Sequence, residues 1–331
     1  MNLRFNRTHL VALLIVLLFS LGVATVAAVP GDYTAVYVSA GGAGTTEDGL
    51  AYQPGDIIGS LGPGQPWFTY FEAAAHGLGG KNINAFDLHL TETTVTDVVS
   101  EPVYMSFSQS RVRLPGVSGP NGLATPNDIV KFSPLVPTAA GDSFELFFDG
   151  SDVGLSGRDE QIDSLSVWLP EDFAPAAVGV PQDCTAGLLF ITTAANYRVR
   201  DANGVSMPGK GGDILAFCAT NLGPNTAGFW FRAFSATEAG FSPLRAIRNL
   251  TVHNFAYNSG TGDWELRFSF SSRTDFHMGA FTGYANNVYL MDTTAGDPIL
   301  ELDLNTDYPT LNGSADGLEI VPYTSVCAND C

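Results

Sequence analysis

The sequence predicts an all-β chain made of four copies of a four-stranded antiparallel repeat, and three observations predict it. Short runs rich in Val, Ile, Phe and Tyr recur along the chain, several of them alternating apolar with polar residues. The segments between them are punctuated by 36 Gly and 19 Pro. A marker then repeats: Phe, five residues, Gly, an apolar residue. It occurs at Phe71 with Gly77 and Leu78, at Phe148 with Gly154 and Leu155, and at Phe234 with Gly240 and Phe241. A fainter fourth marker spans 304–311, with Thr310 where Gly is expected.

Residues 1–28 are expected to be a secretory leader. Arg4 and Arg7 form a basic start, residues 10–19 are an unbroken apolar run, and Val26-Ala27-Ala28 offers a cleavage site before Val29. That run is shorter than the roughly 20 residues of a membrane-spanning helix, so a retained anchor is the weaker reading. No membrane span is expected once the leader is removed, and the chain is expected outside the cell.

Residues 29–326 are assigned to the repeats, at about 32–97, 102–170, 186–256 and 263–323, and 327–331 to a short Cys-bearing tail. Each copy is expected to run strand, long loop, strand, loop, strand, tight Gly loop, strand. The first strands fall at 36–39, 103–108, 188–193 and 266–271. The second strands follow Asp56, Asp128, Asp213 and Asn287, and the third lead into the marker. The fourth strands begin at Ile83, Ile162 and Ile247, with Leu318-Glu319-Ile320 in the last copy. In the second copy Phe144, Leu146 and Phe148 are expected on one buried face, with Glu145 opposite. One such sheet is too small to stand alone and must pack on its neighbours. Four sequential strands repeated in this way are the pattern of a β-propeller blade, and four blades can close into a small ring. Paired β-sandwich domains are the alternative.

The string from Phe148 through Asp149, Gly150, Ser151, Asp152, Val153 and Gly154 to Leu155 resembles a repeat of secreted and surface proteins of environmental bacteria. Residues 213–218 followed by 221–226 are similar to another part of that pattern. The resemblance is clear in the second and third copies and implies a secreted, repetitive, propeller-like protein. That family brings no established activity and therefore no active site.

With 34 acidic against 15 basic residues, the formal net charge is −19, and only Lys81, Lys131 and Lys210 are lysines. Such a balance argues against nucleic acid and anionic membranes as partners. Its plain meaning is solubility outside the cell; divalent-cation binding is the sharper alternative, and only the charge favours it. Four Cys in an exported chain allow three disulfide pairings. Cys184 precedes one strand of the third copy and Cys218 ends the next, so a hairpin would bring them together. Cys327 and Cys331 then pair with each other or with a partner. A zinc site is the weaker alternative, because no His clusters with the Cys.

Asp56, Asp128, Asp213 and Asn287 each stand just before a strand, at equivalent places. In a ring their oxygens can converge on a calcium ion; equally, Asp or Asn there closes a turn through nearby backbone N–H groups, and the turn is the stronger reading. Asp149 and Asp152, with Gly150 and Ser151, make a second acidic stretch that can ligate calcium through carboxylates and carbonyls, private to the second copy. Asp303, Asn305 and Asp307 imitate an EF-hand opening but lack its Gly and its closing Glu. Trp67 and Trp230 share one repeat position with Phe144 and Leu300, as core residues do. His89, Trp168 and His253 share another at the end of the fourth strand, where they form either an aromatic binding surface or simple strand ends. No nucleophile elbow, zinc-protease motif or phosphate loop is present. The sequence therefore favours a secreted, non-catalytic repeat domain that binds an extracellular glycan or surface protein. A carbohydrate-active enzyme using carboxylates at a propeller mouth, and a structural spacer, are the alternatives.

Overall fold

The computed structural model describes residues 33–62, 64–90, 101–117, 122–134, 143–173, 183–242, 246–258, 263–285, 287–303 and 315–322. The leader, the fourth marker, Asn305, Asp307 and the tail with Cys327 and Cys331 lie outside them. Sixteen strands form four antiparallel four-stranded sheets. Sheet one contains β1 (Tyr33–Ala40), β2 (Ile57–Ser60) and β3 (Trp67–Phe71). Sheet two contains β4 (Ile83–Asp87), β5 (Val103–Phe107), β6 (Ile129–Ser133) and β7 (Ser143–Phe148). Sheet three contains β8 (Ile162–Trp168), β9 (Gly187–Thr193), β10 (Ile214–Asn221) and β11 (Ala227–Phe234). Sheet four contains β12 (Ile247–Asn258), β13 (Asp263–Ser272), β14 (Val288–Asp292) and β15 (Ile299–Leu302). The last strand, β16 (Ala315–Pro322), returns to sheet one and pairs with β1.

Sheet and sequence repeat are therefore offset by one strand, which corrects the expectation of one copy per sheet. The fourth strand of a copy pairs with the first strand of the next: Phe86 lies opposite Met105, Leu165 opposite Ile191, and Leu250 opposite Phe270. In the last copy Leu318 lies opposite Val38 of the first. Strands β4, β8, β12 and β16 also touch one another in succession, β16 meeting β4.

Apolar cores fill the spaces between sheets. One joins sheets one and two through Tyr37, Phe71, Met105 and Phe107. Another joins two and three through Tyr104, Phe148, Leu189 and Phe217. A third joins three and four through Phe190, Phe255 and Phe268, and a fourth joins four and one through Val36, Ile58, Val288 and Leu302. Successive residues of a strand thus enter different cores: Leu188 and Phe190 face sheet four, Leu189 and Ile191 face sheet two. All seven residues of β9 are buried, so the half-buried alternation expected from sequence gives way to strands covered on both faces.

A β-bulge where each second strand begins, opposite the end of the third, redirects the marker. In sheet two the register slips between Ile129 and Val130, which lie opposite Phe148 and Leu146. Phe144 consequently packs toward sheet one and Phe148 toward sheet three, rather than sharing a face. The same slip occurs at Ile57/Ile58, Ile214/Leu215 and Val288/Tyr289.

The long loops carry small hairpins, pairing Gly44–Thr45 with Ala51–Tyr52, Val112–Arg113 with Leu123–Ala124, Tyr197–Arg200 with Ser206–Gly209, and Phe276–Met278 with Phe281–Gly283. Cys184 and Cys218 form a disulfide at the ends of the β9–β10 pair. Among the described residues no helix is long and apolar enough to cross a membrane.

Candidate functional site

The repeated Asp residues sit in a bracket that explains why the marker recurs. Asp56 accepts the N–H groups of Gln53 and Ala73, at 2.8 and 2.9 Å. Asp128 accepts those of Thr125 and Gly150, at 2.7 and 3.1 Å. Asp213 accepts those of Lys210 and Ala236, at 3.1 and 3.2 Å. Each carboxylate ties the turn before a second strand to the Gly loop after the third. In that loop Gly77, Gly154 and Gly240 take φ of 77°, 96° and 83°, a region that Cβ-bearing residues disfavour. Burial pushes the Asp128 carboxyl up, opposed by these donors and the Thr125 hydroxyl. Asn287 is buried at the equivalent place, where it meets the Tyr289 hydroxyl. Asp149 Oδ1 accepts from Ser151, and Asp152 Oδ2 accepts the Thr226 N–H at 3.0 Å, so both shape the loop between β7 and β8. Among the described residues no three His, Cys, Asp or Glu side chains cluster at metal-holding distance.

Where β4, β8, β12 and β16 meet, a second polar pattern repeats that sequence reading missed. Glu319 Oε2 accepts the Leu88 N–H at 2.6 Å, Asp87 Oδ2 the Val167 N–H at 2.6 Å, and Ser166 Oγ the Val252 N–H at 3.2 Å. Each bond joins one sheet's first strand to the next sheet's. Burial pushes the Asp87 carboxyl up, opposed by His89 and two backbone donors. Glu319 is pushed well up by burial and further by the Asp87 charge. The only signal in the sequence was alternation, since these positions hold Asp, Ser, Thr and Glu in turn. Toward the other end, bulges project Asn84, Asp163 and Arg248 at equivalent places. The Asn84 amide donates to the Ile162 carbonyl, and Arg273 pairs with Asp163 at 2.5 Å.

The strand-end residues do not assemble into one aromatic surface. His89 takes φ of 53° and its Nε2 lies 3.0 Å from Asp172. The Trp168 indole donates to the Val252 carbonyl at 3.3 Å and packs on Phe190. His253 turns to the opposite face of sheet four, where it meets Ser269 at 2.7 Å, and Ser269 also bonds Glu301. Burial and the nearby Arg267 hold His253 down at about 4, and burial pushes Glu301 up. Trp67 and Trp230 are core residues, 5% and 2% exposed, with their indole N–H groups on Glu47 and the Val153 carbonyl.

Among the described residues, open clefts lie between loops and sheets, and two of them carry charged or aromatic walls. The first, about 640 Å³, is walled by Arg158, Glu160, Asn196 and Arg198. Glu160 is committed to the local fold there, accepting from Ser156, Gly157 and Arg198 backbone groups. The second, about 750 Å³, lies between sheets three and four and is lined by Arg232, Glu238, Trp264, Glu265, Thr293 and Thr294. Half-buried Trp264 stacks on Phe231 at 4.9 Å and on Phe255 at 4.4 Å, which fixes its plane. Cross-strand placement brings these residues together from three separate stretches of chain, so no local motif announces them. A cleft with an aromatic wall and a few convergent polar groups is suited to holding a ligand.

No protein-family model matches the chain, and no curated protein sequence matches it.

Proposed function

We propose that the chain is an exported, non-catalytic binding module built as a four-bladed β-propeller, whose ligand is an extracellular glycan or surface protein. The ring is supported by the pairing of β16 with β1, by the succession of cores from sheet one to sheet four and back, and by the repeated bonds between first strands. Export is supported by the leader pattern in residues 1–28, by the Cys184–Cys218 disulfide and by the resemblance around Phe148. The observation that carries the binding reading is the aromatic-walled cleft between sheets three and four. The secreted product, applied to arrays of glycans and of surface-protein extracts, is expected to retain a ligand without altering it. Release of new reducing ends from a bound polysaccharide would overturn the non-catalytic part.

A second reading, a carbohydrate-active enzyme, is favoured by one observation: the adjacent buried carboxyls of Asp87 and Glu319, both pushed up in pKa. Both already accept backbone N–H groups and each is 6% exposed, which is the environment of a structural pair. Reducing-end release that disappears in Glu319→Gln, with folding retained, would move the assignment to this reading.

A further inference from the structure

Resting on the binding reading above, we infer that the cleft between sheets three and four takes a neutral glycan, with Arg232 and Trp264 as its anchors. Arg232 is built into place. Its Nε donates to the Tyr197 hydroxyl at 3.0 Å, and its Nη2 donates to the Pro208 carbonyl at 2.6 Å. Nε also lies 3.6 Å from Asp213, itself buried in the bracket of the third copy. A guanidinium has five N–H donors in a rigid fork, and the Nη1 group makes no hydrogen bond among the described residues. The small hairpin in the loop between β9 and β10, through Tyr197 and Pro208, thus holds one edge of Arg232 while the residue lines the cleft.

Trp264 supplies the complementary surface. Its indole plane is set by two stacked Phe rings, and it lines the same cleft. A sugar ring presents an apolar C–H face and an equatorial rim of hydroxyls, which match an indole wall beside fixed polar groups. Hydroxyls both donate and accept, so one ring can donate hydrogen bonds to Glu238 and accept them from Arg232. Thr293 and Thr294 extend that mixed rim.

Charge selects among glycans. One guanidinium and two carboxylates, Glu238 and Glu265, line the cleft, and the Glu238 charge acts directly on Arg232. The whole chain carries a formal −19. A uronate or sulfated chain would meet repulsion from both, whereas a neutral polyol meets none. Neutral oligosaccharides therefore fit this cleft better than acidic ones.

The test is calorimetric titration of the secreted full chain with neutral cello-, xylo-, manno- and galacto-hexaoses, and with hexagalacturonate as the acidic comparator. At least one neutral hexaose is expected to bind at least tenfold more tightly than hexagalacturonate. Its affinity is expected to fall at least tenfold in Trp264→Ala and in Arg232→Lys, which keeps the charge but loses the fork. Near-ultraviolet circular dichroism checks that each variant is folded, and Trp264→Phe serves if Trp264→Ala is not. Undiminished neutral binding in the folded variants would overturn the cleft assignment while leaving the binding reading intact. Preference for hexagalacturonate would overturn the neutral class alone. Failure of every hexaose, with a surface protein still retained, would overturn the glycan inference and keep the module a binder.

Discussion

Between sheets three and four, Phe190, Phe234, Phe241, Phe255, Phe268, Phe270 and Phe276 interleave, and the Cys184–Cys218 disulfide closes the β9–β10 pair beside them. Between sheets four and one the buried apolar side chains are mostly aliphatic, among them Val36, Val38, Ile58, Val288, Leu302, Leu318 and Ile320, with Tyr52 and Trp67 as the aromatic members. That second seam also buries polar groups, with His253, Ser269 and Glu301 on its sheet-four face and Glu319 beside Asp87 at its inner edge. The chain runs directly from β11 to β12 at the first seam, whereas the second forms only when the two ends of the domain meet. Large rings supply apolar area where packing must carry the contact. The terminal seam holds fewer rings, and the antiparallel ladder of β16 on β1 within sheet one joins the end of the domain to its start. The seam where the ends meet is accordingly expected to open first, and the aromatic seam last.

The severest way to break this contrast is to remove β16. A chain ending before Ala315 is expected to lose its cooperative thermal transition, because β1 and the inner edge of sheet two lose their partner together. A truncated chain that melts like the parent would show that sheet one stands without closure. Next in size, Phe268→Ala in the aromatic seam is expected to cost about 3–5 kcal/mol in chemical denaturation. Replacing both Cys184 and Cys218 by Ala is expected to cost about 2–4 kcal/mol and to leave hydrogen exchange of β16 unchanged. Faster exchange in β16 would couple the two seams and dissolve the contrast.

Titration sharpens it further. The terminal seam holds groups whose pKa values move in opposite directions. His253, held down at about 4, makes stability fall as pH drops from about 6.5 toward 4, by at most about 1.36 kcal/mol per unit. Glu319, pushed up, makes stability fall as pH rises from its unfolded value through its folded one. His253→Asn is expected to flatten the acid limb of a stability–pH curve, and Glu319→Gln the limb above it. Curves that superimpose on the parent would place both groups in contact with water. The smallest expected effect is that of calcium. Since Asp56, Asp128 and Asp213 already accept backbone donors, millimolar calcium or chelator is expected to leave the thermal midpoint unchanged. A rise lost on mutating these three residues to Ala would make them ligands.

Much of the local structure was legible because it is dictated locally. The Gly of each marker needs a left-handed φ, the Asp before each second strand needs nearby N–H groups, and both leave residues at fixed spacing. Cys184 and Cys218 were legible as a pair because a hairpin brings its strand ends together. The cleft was not legible: Arg232, Trp264 and Thr293 stand on β11, on β13 and beyond β14, and only packing of sheet three on sheet four joins them. The contacts of Asp87, Ser166 and Glu319 were hidden for the same reason, since each accepts a hydrogen bond from a backbone N–H that belongs with another sheet.

The sequence by itself determined the all-β class, the position of the strands of the four sheets and the turn chemistry that separates them. These follow from side-chain periodicity, backbone restrictions at Gly and short-range hydrogen bonding, which act over a few residues. Only the tertiary structure decided that a copy is shared between two sheets, that central strands are buried on both faces, and which seam receives aromatic rings. A strand's partner and the core each of its faces enters depend on residues far away in the chain, whose pairing leaves no local period to read.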